Sequence, residues 1–287
     1  MKYAFIHAHR RCFKVLRMCK VLAASTSGYY GWRNRPESKR SHENRALITR
    51  IRCFHQASRR VYGSPRIHGD LVASGDFVSV NRVARLMKEE GIQSHMRKKF
   101  VVTTDSRKTY SPAPDHLQRC FRTEAPDKVW VADTTFIGTR QGWLYLAVVL
   151  DLFSRKVLGW SISDKNNAQM AKSALMMAIQ RRGSVNGVIV HSDQGSTYCS
   201  SEYQHLLNEH KLICSMSRKG ECLDNAVAES FFGSLKTEWV DDADYLTISA
   251  AKQSLFEYIE IFYNRQRRHS YLNYRSPAAF EAEFASL

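Results

Sequence analysis

The chain has 287 residues, 44% hydrophobic and 11% aromatic, which is enough to bury one large core or two modest ones and excludes a disordered chain. No apolar run approaches the roughly 20 residues of a membrane helix, and the basic N-terminus lacks the apolar stretch of a secretory signal, so a cytoplasmic protein with no membrane partner is expected. The net charge of +16 is uneven: residues 1–110 carry 24 Lys/Arg against 7 Asp/Glu, and residues 111–287 carry 19 against 20, which points to a basic arm for a polyanion joined to a near-neutral working domain.

Residues 1–34 read as a helical segment: a helix from Arg10 to Leu22, a Ser/Thr/Gly turn, then Tyr29, Tyr30 and Trp32. Residues 35–42 read as a polar linker, and a helix is expected over Glu43–Ser58 with Ala46, Leu47, Ile51 and Phe54 at helical spacing. Pro65 suits a first helical turn, Gly75 breaks the segment that follows, and Ser79 can cap a second helix. That helix turns Val83, Leu86 and Met87 inward and leaves Arg82, Arg85 and Lys88 outward. Residues 43–97 therefore read as a small, all-helical, helix-turn-helix-like DNA-binding domain in which these three basic residues face phosphate. Residues 98–125, with Pro112 and Pro114, read as a basic linker, and residues 126–287 as the working domain with a C-terminal helical tail.

In that domain DKVWVADTTFIGTR alternates, with Val129, Val131, Asp133, Thr135 and Ile137 on one face, and WLYLAVVLDLFSRKVLGWSIS reads as two strands around a turn near Phe153–Arg155. A helix with Ala168, Leu175, Met176 and Ile179 inward follows, then the short strand GVIVHSD, a helix over 200–210, a strand, and a helix over 222–239. This succession describes an α/β fold, a mixed sheet flanked by helices. Seven cysteines, at 12, 19, 53, 120, 199, 214 and 222, contain no C-x-x-C pair. Cys199, Cys214 and Cys222 lie near His191, His205 and His210 in sequence, but the spacings match no common zinc pattern, and buried free thiols are expected.

Three acidic residues sit where chemistry is done. Asp133 is in mid-strand on an apolar face, where an unpaired carboxylate is costly. Asp193 ends an apolar strand at the sheet's C-terminal edge, with Gly195 allowing a tight exit. On the 222–239 helix, Leu223, Val227, Phe231 and Leu235 form one stripe, and Asn225, Glu229, Phe232 and Lys236 form an opposite row, with Gly233 beside it, that can look into a cleft. Carboxylates from a mid-strand, a strand end and a helix can hold divalent metal for phosphoryl transfer. Asp151, Glu202, Glu221 and Asp224 satisfy the same crude test.

The residues alone leave these candidates open, and a resemblance to a known family separates them. Fifty-nine residues lie between Asp133 and Asp193, 35 between Asp193 and Glu229, and Lys236 follows Glu229 by seven. With WVADTTFI, HSDQGSTY, SRKGECLDNAVAESFFGSLKTE and YNRQRRHSYLNYRSP in this order, the chain resembles the D, D-35-E retroviral integrases and, most closely, the bacterial insertion-sequence transposases of the IS3 type, second-reading-frame protein. The resemblance implies a ribonuclease-H-like integrase core in which Asp133, Asp193 and Glu229 hold two Mg²⁺ or Mn²⁺ ions. It implies cleavage of transposon DNA ends with water and strand transfer by 3′-hydroxyl attack on a phosphodiester. It also implies DNA ends and target as partners, a homo-oligomer on DNA, and a subunit supplied by an upstream frame, since no leucine-zipper heptad run occurs here. Lys236 is expected to touch DNA near the reacting end, and His191 and Asn225 belong to the shared motif as supporting residues. Arg265, Arg267 and Arg268 add phosphate-binding groups that either close over DNA or clamp the last helix to the domain. A non-catalytic DNA-binding regulator and a ribonuclease-H-type nuclease are the alternative functions.

Overall fold

Alternation along residues 129–139 builds the central strand of a five-stranded sheet. In the computed structural model, which describes residues 1–94, 113–218 and 225–286, β1 (Val129–Thr139), β2 (Gly142–Asp151) and β3 (Val157–Ser163) form an antiparallel meander. Two short strands, β4 (Ile189–Ser192) and β5 (Ile213–Met216), add in parallel on the other side of β1, giving the order β3-β2-β1-β4-β5. Parallel neighbours need crossovers. Helix α7 (Ala168–Arg182) makes the one from β3 to β4, and α8 (Ser201–Glu209) makes the one from β4 to β5. Each starts at the residue best suited to start it: Asn167 accepts the Met170 N–H, and Ser200 accepts the Tyr203 N–H.

One face of the sheet, with Trp130, Ala132, Ala147 and Val149, packs on α7 and α8 in a single apolar cluster. Gly159 of β3 decides how close α7 comes. A Cβ there would lie 2.0 Å from the Ala174 carbonyl oxygen and 2.7 Å from the Ala178 nitrogen, so helix backbone rests directly on the strand. This corrects the expected inner stripe of α7. Leu175 and Ile179 are buried as expected, but Met170, Ala171, Ala174 and Ala178 join them, while Ala168 and Met176 stay at the margin. Small side chains face the sheet because no larger one fits so close an approach.

The turn after β2 is held by Asp151, which is fully buried. Its Oδ2 accepts the N–H and Oγ–H of Ser154, both at 2.7 Å, and its Oδ1 accepts the Asp127 N–H at 2.9 Å. Asp151 is a turn residue and leaves the set of acids available for chemistry.

The chain divides into two compact units, Met1–Arg52 and Cys53–Leu287. In the first, α1 (Lys2–Ala8), α2 (Val15–Val21) and α3 (Thr26–Asn34) surround Ile6, Met18, Cys19 and Tyr29. The helix expected from Arg10 to Leu22 begins only at Val15. A continuous helix would hold Ile6 and Met18 about 18 Å apart, whereas folding back lets them share one core. The Ser/Thr/Gly stretch is a helix start rather than a turn, since Ser25 accepts the Gly28 N–H. Likewise α4 (Lys39–Ala57) takes over part of the expected 35–42 linker, because Ser38 Oγ accepts the Ser41 N–H. Along α4, Leu47 and Ile51 are buried and Ala46 is exposed.

In the second unit, α5 (Ser64–Ala73) carries Pro65 in its first turn, and Gly75 leaves it with φ +88°. Ser79 caps α6 (Val80–Glu89) by accepting the Arg82 N–H, and Val83, Leu86 and Met87 are buried. Of the expected basic linker, residues 113–125 fall within the described region, and the stretch Pro114–His116 is pinned beside β5 by Met216 N–H to the Pro114 carbonyl and His116 N–H to Ser215 Oγ. Helix α9 (Ala226–Leu235) runs into a π-helical turn, Lys236–Val240; α10 (Ile248–Phe256) runs into another, Glu257–Tyr263; and α11 (Pro277–Ala285) ends the chain. Leu223, Glu221 and Asp224 lie outside the described residues.

Candidate active site

Parallel pairing of β4 with β1 covers only three positions, Val129↔Ile189, Trp130↔Val190 and Val131↔His191. Past Val131 the two strands part, and among the described residues the edge of β1 that faced β4 has no strand neighbour. Asp133 lies just beyond this fork, and Asp193 follows the last residue of β4. The two carboxylates therefore come together because the sheet opens between their strands.

Local backbone fixes each one. Asp133 Oδ1 accepts the Thr134 N–H at 2.7 Å, and Asp193 Oδ1 accepts the Gly195 N–H at 2.9 Å. Gly195 is needed for space rather than for an unusual backbone, since a Cβ there would lie 2.8 Å from Asp193 Oδ1. Burial, reinforced by the negative charges of Asp193 and Glu229, pushes the Asp133 carboxyl up to about 8, against the pull of the Thr134 N–H and of Lys236. Burial also raises Asp193, tempered by the Gly195 N–H, and raises Glu229. Asp193 and Glu229 thus both act on Asp133, with Lys236 as the nearby positive charge. Among the described residues no group of three or more His, Cys, Asp or Glu side chains is drawn tightly enough to enclose a metal ion. The acids share a cleft without forming a closed ligand cage.

Helix α9 brings Glu229 to this cleft, but the open row expected on it is only partly open. Glu229 is half-buried and Gly233 faces free space, as expected, whereas Phe232 is buried with Ala228, Phe231 and Leu235. Phe232 packs on Phe231 with ring centroids 5.4 Å apart, so it is core and not a surface for a ligand. Lys236 opens the π-helical turn, and its Nζ lies 5.0 Å from the Phe136 ring centroid. Phe136 and Trp143, both exposed, meet edge to face beside it. Sequence reasoning missed this pair, although two aromatics on one face at the far end of a hairpin were its signal.

Asn225 starts α9 without capping it. Its Nδ2 donates to the Ala132 carbonyl at 3.4 Å, next to Asp133, and its Oδ1 is buried with no partner among the described residues. It links the helix of Glu229 to the strand of Asp133. His191 is fully buried, with Nδ1 2.9 Å from Ser215 Oγ and 3.9 Å from Asp115 Oδ1, so it ties β4 to β5 and to the 113–116 stretch. Glu202 is an exposed residue of α8.

The basic residues divide. Arg267 is 3% exposed and is held by Glu238 and Ser234, and Arg268 donates to Asp70 of α5 at 2.8 Å, so both clamp the protein to itself and neither is offered to DNA. Burial wins at these two sites because partner carboxylates stand opposite them, which spacing could not reveal. Arg265 and Lys88 are exposed, Arg85 pairs with Glu89 on the exposed face of α6, and Arg82 is half-exposed there. Cys199 and Cys214 are free, and burial raises both thiols; Cys199 contacts Met216 and Cys214 contacts Gln204. Cys222 lies outside the described residues. Among the described residues no helix is long and apolar enough to cross a membrane.

Comparison with known proteins adds lineage to this geometry. An integrase core domain family matches residues 123–222, a second integrase core domain family matches 229–283, and an HTH-like domain family matches 41–100. Transposase InsF for insertion sequence IS3A of Escherichia coli (strain K12) is 39% identical over 284 residues, covering 98% of each chain. The uncharacterized 31 kDa protein of insertion element IS600 from Shigella sonnei is 39% identical over 93% of this chain and 98% of its own. Among solved structures, the HTLV-2 integrase catalytic core domain in complex with magnesium is 18% identical, covering 55% of this chain and 98% of that one at a TM-score of 0.42. A forked sheet carrying paired acids, an integrase core and end-to-end likeness to InsF lead to one assignment: the chain belongs to the IS3-type insertion-sequence transposases, polynucleotidyl transferases with a ribonuclease-H-like integrase core preceded by an HTH-like region.

Proposed function

We propose that Asp133, Asp193 and Glu229 are the reaction centre of this transposase and hold Mg²⁺ or Mn²⁺, two ions in all, for cleavage at transposon ends and strand transfer into target DNA. The observation that carries the reading is the fork between β1 and β4, which leaves two half-buried carboxylates at its mouth, with Asp193 and Glu229 both close enough to act on the charge of Asp133. Acids that raise one another's proton affinity are a poor arrangement for an empty cleft and a good one for hard cations, which favour carboxylate oxygen. The donor set, three carboxylates of which Glu229 comes from α9, fits the chemistry of such an ion. When bound, the ions would activate the attacking oxygen and stabilise the leaving one in an in-line displacement.

The chain's own residues have definite work around that step. Thr134 and Gly195 N–H groups orient Asp133 and Asp193 by holding one oxygen of each. Asn225 fixes the start of α9 to β1 and so sets where Glu229 stands. Lys236, about two turns past Glu229, takes a phosphate near the reacting end, and its Nζ stands over the Phe136 ring. Lys88, Arg82 and Arg85 on α6, with Arg265, take backbone phosphates farther along the duplex. A homo-oligomer on DNA and a subunit from an upstream frame complete the working complex.

The test is strand cleavage of an oligonucleotide carrying the element end, in Mn²⁺, by Asp133→Asn, Asp193→Asn and Glu229→Gln. All three lose cleavage while binding the same DNA. Near-normal cleavage by any one removes that residue from the centre.

A further inference from the structure

Residues 1–40 of the first compact unit are matched neither by the catalytic core nor by the HTH-like region, which begins at residue 41. We infer that α1–α3 form a second, separate helix-turn-helix that reads duplex DNA through α3. The inference rests on the chain's action on DNA and is independent of the carboxylate assignment.

Four observations carry it. First, α2 and α3 are joined by four residues, Leu22–Ser25, the length of a helix-turn-helix turn, whereas α5 and α6 are joined by six, Ser74–Ser79. Second, Ala23 sits in that turn with φ +47°, the left-handed position where such turns commonly carry glycine. Third, the helices share one core, Ile6 from α1, Met18 and Cys19 from α2 and Tyr29 from α3, and His7 Nδ1 lies 3.3 Å from the Tyr29 hydroxyl, so α3 is held from one side only. Its other side presents Ser27, Tyr30, Gly31 and Asn34, all exposed and spaced i, i+3, i+4, i+7, a single face of a helix.

The chemistry of that face suits a major groove. Asn can pair with adenine through two hydrogen bonds, Ser bonds to any base edge, and Gly31 lets the helix backbone approach closely. Charge supplies the fourth observation. Residues 1–35 contain eight Lys/Arg and no Asp or Glu, and of these Arg17 and Lys20 on α2 and Arg33 and Arg35 at the end of α3 are exposed. In a helix-turn-helix the first helix crosses the sugar–phosphate backbone while the second enters the groove, which is where these groups stand.

The full-length protein tests it, with a duplex built from the DNA that flanks the coding region and a scrambled duplex of the same composition. Ser27→Ala/Asn34→Ala is expected to reduce the preference for the flanking duplex by about tenfold or more with little change on the scrambled one. Arg17→Ala/Lys20→Ala is expected to weaken both and to lower the slope of log affinity against log salt by roughly 0.9 per lost phosphate contact. These side chains are exposed, so thermal unfolding should match wild type and exclude misfolding as the cause. Unchanged preference and unchanged slope in both variants overturn the inference. So does loss of self-association in sedimentation with DNA binding intact, which would make this face, with exposed Leu16 and Val21 nearby, a contact for a second copy.

Discussion

Arg267 holds Glu238 through two parallel hydrogen bonds, Nε to Oε2 and Nη2 to Oε1, each 2.6 Å long, with both side chains almost entirely out of water. Arg66 of α5 adds a third bond to the same carboxylate at 3.0 Å, so one acid joins the C-terminal segment, the turn after α9 and α5. Burial alone would raise Glu238, yet the two guanidiniums outweigh it and hold its carboxyl below the usual range.

Breaking one side of this pair strands a buried charge. Arg267→Ala should cost about 3–5 kcal/mol of stability, read as a fall in the urea midpoint at constant slope. Arg267→Met/Glu238→Leu should cost less than either single change, because the only charge that loses its partner is Arg66, whose side chain reaches water. Additive losses in that double variant would mean the pair is not coupled.

The sign of the pH effect at Asp133 follows from its raised carboxyl. Unfolded, the group ionises near its ordinary 3.8; folded, near 8. Between these values the folded state holds the extra proton, so stability contributed by the protonated form declines as pH rises through this window and is gone above it. A divalent cation should reverse the loss. Mn²⁺ is therefore expected to raise Tm by more at pH 8 than at pH 5 in the wild type, and hardly at either pH in Asp133→Asn. Equal rises in the two proteins would take Asp133 out of the metal site.

Lys236→Ala should lower single-turnover cleavage about tenfold or more without changing Mn²⁺ affinity, and Lys236→Arg should recover part of it, since charge is kept while its geometry changes. Unchanged cleavage by Lys236→Ala would leave this residue as a partner of Phe136 and nothing else.

Asn225→Ala removes the tie between α9 and β1. Cleavage should fall with DNA affinity intact and a stability loss of only about 1–2 kcal/mol, measured by urea unfolding alongside activity. Asn225→Ser, which retains a short donor, should recover part of the rate. A loss of stability with full activity would make the residue purely structural.

Much of the fold was legible because local rules agree along the core domain. Alternation marked β1 to β3, Ser79 marked the start of α6, and the shared motifs pointed to the three acids proposed as the site. What stayed hidden depended on partners far away in sequence. Nothing near Arg267 announces Glu238, 29 residues earlier, so a basic run looked like a DNA contact. Nothing near Phe232 shows that Phe231 and its neighbours enclose it, because an amphipathic row gives direction but not what lies opposite. The late start of the first expected helix was equally invisible, since residues 10–14 have no breaker and only the shared core of Ile6 and Met18 demands a reversal.

The shortness of β4 has a cost in stability. Four residues instead of ten leave most of one side of β1 without a ladder, and each missing ladder bond forgoes roughly 0.5–1.5 kcal/mol. Lengthening β4 past Ser192 would add ladder bonds to β1 and close the sheet beside Asp133. Strand length after Val190 thus sets a trade between a fuller ladder and an open cleft.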